Sequence, residues 1–156
     1  MNLRMLQTVG LAIALGLASA AYAAEPDHGT TVPVPVLKTP GDAVNAMAYF
    51  QRGVDEHIAK DQLHQLHAYA FAARDAALKI DDLATTLPAE KSKALKEHLA
   101  RIKGIAAQID KYGDAGKAAE ARQFAAKLKE ESEAVQATLG ITASTSWQPP
   151  SQATAP

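Results

Sequence analysis

Residues 61–87, DQLHQLHAYAFAARDAALKIDDLATTL, decide the fold. Their apolar positions are Leu63, Leu66, Ala70, Ala73, Ala77, Ile80, Ala84 and Leu87, and the steps between them alternate three and four. That is a heptad seam, the pattern of a long helix packing at a shallow angle against others. His64, His67, Phe71 and Leu78 flank the seam. A helix apolar over more than one stripe touches more than one neighbour, which suits a bundle.

The same alternation extends outward from this stretch. Before it, Val44, Met47, Gln51, Val54 and Ile58 form a seam over a helix starting near Gly41-Asp42, with Asp42 as its cap and Gly53 marking close helix contact. Asp61 caps the second helix, so the turn between the two is short and the neighbours are antiparallel. After it, Pro88 opens a third helix with Leu95, Leu99, Ile102, Ile105, Ala106 and Ile109 inside. Gly113 stops that helix, and Asp114 caps a fourth. Ala118, Ala121, Ala125, Leu128, Ser132, Val135 and Leu139 line this last helix, which Gly140 ends. The pattern predicts an all-α protein: an up-down-up-down antiparallel four-helix bundle over residues 41–140. Leu66, Ala70, Ala73, Ile102, Ile109, Ala125 and Leu128 are its expected core.

The flanks read differently. Arg4, the apolar run 6–17 and Ala21-Tyr22-Ala23 describe a signal peptide over 1–23, too short to span a bilayer, which places the mature protein in the periplasm without membrane insertion. Pro26, Pro33, Pro35 and Pro40 mark 24–40 as an extended linker. Residues 141–156, rich in Thr, Ser, Pro and Gln, read as a disordered tail.

Composition narrows the chemistry. With no cysteine there is no disulfide, thiolate nucleophile, thiolate zinc site or iron–sulfur cluster. A formal charge of −1 implies no basic face for nucleic acid. No serine has a histidine placed to activate it, and the Glu-x-x-His pairs of a di-iron bundle are absent, so no enzyme is expected. His57, His64 and His67 are the candidate metal ligands. Antiparallel pairing about residues 60 and 61 sets His57 level with His64, and the i, i+3 spacing lets His64 and His67 face one ion of copper, nickel, cobalt or zinc. Flanking or exposed helix histidines also occur without any specific role, so both readings stand. His98 falls inside the apolar arc of the third helix, ~14 Å along the axis from His67 by the helical rise. It reads as a hydrogen-bonded core residue.

At His67–Asp75 (HAYAFAARD), Leu87-Pro88 and Tyr112–Gly116 (YGDAG), the chain resembles a group of small exported helical proteins often encoded with heavy-metal efflux components. The resemblance implies a periplasmic accessory protein, a buffer, sensor or shuttle for a metal ion, with an efflux protein as partner. It carries no catalytic residues. The bundle is also similar to the cytochrome b562-like fold, but the fourth helix has no histidine to serve haem. Arg74 and Asp75 point about 100° apart on a helix, so each is expected to meet a partner on another helix. The alternative to metal handling is a metal-free structural or protein-interaction module.

Overall fold

The structure, a computed structural model, describes residues 32–150. The expected signal peptide, the first half of the linker and the end of the tail lie outside the described residues. Within them, α1 spans Pro40–Ala59, α2 Leu66–Leu83, α3 Ala89–Asp114 and α4 Ala118–Leu139, with a 3-10 turn at Leu63–Gln65 before α2. No strand occurs among the described residues, and no helix there is long and apolar enough to cross a membrane. The protein is an all-α four-helix bundle.

The helices close a ring, α1 on α2, α2 on α3, α3 on α4, and α4 back on α1 by the sparsest of the four interfaces. Paired residues step down α3 as they step up α4: His98 meets Glu131, and Tyr112 stacks on Phe124. All seven expected core residues are buried. Alanine supplies much of the interior (Ala43, Ala46, Ala70, Ala73, Ala76, Ala77 and Ala106 are fully enclosed), so the helices approach closely around a few large side chains such as Phe50, Met47 and Leu66. Gly53 serves that approach. A Cβ there would lie 2.2 Å from the Tyr69 ring.

The helix ends depart from expectation. Thr39, not Asp42, is the cap of α1. Its hydroxyl accepts from the Asp42 amide at 3.1 Å while the Asp42 carboxylate accepts from the Thr39 amide at 3.0 Å, a capping box with Pro40 at the first helical position. Asp61 caps nothing. It sits in the turn with φ 56°, and α2 starts only after the 3-10 turn. Gly113 lies inside the last turn of α3 against Leu63 and Leu66, and Gly116, with φ 66°, makes the reversal. Asp114 is the last residue of α3, and Lys117 precedes α4 without a side-chain cap.

Both flanks pack on the bundle where they are described. Val32 and Val34 lie against the core and Leu37 is buried within it. The tail is not disordered over 141–150. Ile141, Ala143 and Trp147 rest on the core, the Ala143 amide donates to Gln136 Oε1 at 2.7 Å, and the Ser144 amide donates to Asn45 Oδ1 at 2.7 Å. Trp147 meets the Tyr49 ring edge-on at 5.8 Å.

Candidate functional site

The three histidines share one end of the bundle, but each is engaged separately. His57, in the last turn of α1, has Nδ1 2.8 Å from Gln62 Oε1, and its ring lies 4.5 Å from the Tyr69 ring. It is therefore level with Tyr69 rather than His64, because the turn at Asp61 and the 3-10 residues use up chain that an immediate helix start would not. His64, on the 3-10 turn, is exposed. His67, in the first turn of α2, reaches across to α3, where Nδ1 lies 2.8 Å from Asp110 Oδ1, and its ring meets Phe71 edge-on at 4.6 Å. Among the described residues no three His, Asp or Glu side chains gather as a metal ion requires. The three histidines thus converge by position and not by side chain.

His98 is not a core residue. It lies half-buried at the α3–α4 edge, with Nδ1 2.7 Å from Glu131 Oε2. Arg101 Nε donates to the other Glu131 oxygen at 2.7 Å, and its Nη2 also lies 2.7 Å from His98 Nδ1. Burial pushes the Glu131 carboxyl up, but hydrogen bonds from Arg101 and His98 outweigh it and hold the group below the usual glutamate range. A histidine at this spacing is visible in the sequence, with Arg101 one turn on; the Glu131 that binds both, on the next helix, is not.

Arg74 and Asp75 do bond each other, Nε donating to Oδ1 at 2.8 Å. The long arginine folds back toward the helix N-terminus, as helical side chains do. Its guanidinium then lies over the Phe71 ring, 4.1 Å from the centroid, leaving Nε within reach of the neighbouring carboxylate.

A second assembly centres on the outer side of α1. Tyr49 and Arg52 of α1, Tyr69 of α2, and Trp147 of the tail are all half-buried, and the Arg52 guanidinium lies 6.0 Å from the Tyr49 ring centroid. Two shallow grooves run beside them. One, of about 340 Å³, is lined by Tyr49, Arg52, Gly53, Glu56, Tyr69 and the tail's Thr145 and Gln148. The other, of about 300 Å³, opens between α1 and α4, with Gln51 and Ser132 as buried polar residues in its lining. Asp55 and Lys129 stand at its rim. Desolvation beside Gln51 pushes the Asp55 carboxyl above its usual range, while the Gln51 amide and the Lys129 charge act the other way. Composition foreshadows little of this surface, because Trp147 falls in a stretch that reads as tail.

Compared with protein-family models, with curated proteins and with solved structures, the chain matches none.

Proposed function

We infer that the protein is a periplasmic, non-catalytic accessory that works by contact with another protein, through the face formed by Tyr49, Arg52, Tyr69 and Trp147. One observation carries this reading. The chain has few aromatic residues, yet two tyrosines, the single tryptophan and an arginine gather half-exposed on one face beside two grooves. Tyr, Trp and Arg are the residue types that dominate binding energy at protein interfaces. The periplasmic location rests on the residues at 1–23, and the resemblance points the partner search to metal-efflux proteins. The test is site-specific photocrosslinking in the native host, with the crosslinker at position 52 or 69 and, as control, at Lys96 on the exposed side of α3. A discrete adduct at 52 and 69 but not 96 is the expected result. Equal labelling at all three sites, or at none, overturns the reading.

A second reading, loose metal binding by His57, His64 and His67, is favoured by their position around one turn and by the exposed ring of His64. An ion would have to draw His67 from Asp110 and His57 from Gln62. Calorimetric titration with zinc, copper and nickel tests it. A His64→Ala/His67→Ala double variant should lose the binding, and unchanged affinity in it would remove this reading.

A further inference from the structure

We propose that residues 141–150 are a releasable internal ligand, and that the face of α1 beneath them docks an extended peptide bearing an aromatic side chain. The proposal rests on the interaction reading above and names the class of partner, whose aromatic side chain takes the place that Trp147 holds on Tyr49.

The segment is attached by the means an independent peptide would use. It is extended apart from one turn, and two of its successive amides, those of Ala143 and Ser144, donate to side-chain carbonyl oxygens of Gln136 and Asn45. These acceptors are side chains on α4 and α1, so they recognise a peptide backbone without drawing on the backbone bonds of either helix. The aromatic anchor is Trp147, packed edge to face with Tyr49, and Ile141 and Ala143 also rest on the core. Thr142, Ser144, Thr145, Ser146 and Gln148 are exposed. The same attachments select a partner: two consecutive free amides and, three residues beyond the second, an aromatic ring.

The geometry also allows release. Gly140, with φ 69°, closes α4 at the root of the segment, and the Ile141 amide donates to the Gln136 carbonyl at 3.0 Å, so release begins beyond Ile141 and leaves the helix end intact. The segment crosses where the ring is sparsest, over the α1–α4 contact, and a groove stays open on either side of α1, with Arg52 and Thr145 bordering both. A tethered segment competes at an effective concentration in the millimolar range. A partner therefore docks only when it binds tightly or when the anchor is lost.

Trp147 is the only tryptophan, so the full-length Trp147→Ala chain is free of tryptophan fluorescence. A synthetic peptide with the sequence of residues 141–150 is added to it, and emission and the anisotropy of a fluorescein-labelled copy are followed. The expected result is a blue-shifted, saturable signal with the variant, at least about tenfold weaker binding to the wild-type chain because the tethered copy competes, and none for a scrambled peptide. Adding Asn45→Ala to the variant should weaken uptake severalfold. Should Trp147→Ala fail to fold, full-length Ser144→Pro replaces it, since proline removes the amide that Asn45 accepts and leaves the anchor in place. That chain should show red-shifted, more easily quenched Trp147 emission and take up the labelled peptide. A folded variant that ignores the peptide up to millimolar concentration, or equal binding by wild type and variant, overturns the proposal. A crosslink at position 69 alongside such a failure would keep the interaction reading and remove the internal ligand from it.

Discussion

The space beside three helical glycines decides what one methyl group does. Nothing lies within 4 Å of a Cβ built on Gly104, so Gly104→Ala should stabilise the protein by about 1 kcal/mol through helix propensity alone. At Gly53 the methyl would meet Tyr69 at 2.2 Å. Overpacking costs ~1–3 kcal/mol, which outweighs the propensity gain, and Gly53→Ala should lower stability. At Gly113 the obstacle is the Leu63 carbonyl oxygen at 2.9 Å, backbone that cannot rotate aside, so Gly113→Ala should cost at least as much. Urea midpoints at constant m-value check the three together; a stabilised Gly113→Ala would show that the 3-10 turn yields freely. Glu131 gives a pH prediction. Its carboxyl sits below the ordinary value of 4.5 in the folded protein, so its contribution is complete above that pH and is lost as pH falls through the lowered folded value. Melting temperature should therefore fall more steeply below about pH 4.5 in the wild type than in Glu131→Gln, with the curves running parallel above pH 5. Parallel curves throughout would mean that Arg101 and His98 do not hold the carboxylate.

At the scale of the element, the seams are readable because burial imposes period: Val44, Met47, Gln51, Val54 and Ile58 repeat every three or four residues, and all five are buried. The ends are less readable. Thr39 and Asp42 both suit a cap, and their reciprocal bonds, which assign the roles, depend on where Pro40 sets the first turn. Thr39→Ala should cost about 1 kcal/mol, seen as a lower melting temperature; no change would mean that Asp42 alone suffices. Asp61 misleads for a related reason, since aspartate serves helix caps and left-handed turn positions alike. Its φ of 56° makes Asp61→Gly neutral to stabilising by up to about 1 kcal/mol. A clear loss on denaturation would show that the side chain itself holds the turn. The same turn shifts the histidines. His57 is level with Tyr69, so the candidate ligands are legible as residues while their actual partners, Gln62 and Asp110, depend on register.

For the molecule as a whole, ten residues that read as tail belong to the folded body, because one tryptophan and two amide contacts outweigh a composition that otherwise suits an unstructured chain. Most of the interior is legible, although Ile105, Ala118 and Leu139 of the expected seams are only half-buried and His98 lies at the edge. Ala73 is fully enclosed, and Ala73→Glu should cost several kcal/mol by burying an unpaired carboxylate and forcing bulk between helices; a variant melting within a degree or two of the parent would contradict the packing. The ring of helices also implies an order of assembly. Three of its four seams join sequence neighbours, so little loop-closure entropy opposes them, and such local contacts form early. The fourth brings α1 against α4, and the Ser144–Asn45 bond closes a loop of 99 residues. The length of that loop predicts a closure that comes after the main barrier has been crossed. In stopped-flow circular dichroism, Trp147→Ala should leave the refolding rate unchanged and speed unfolding, the signature of contacts absent from the transition state. The seam between the first and last helices is then the last part of the body to be secured and the first to come free.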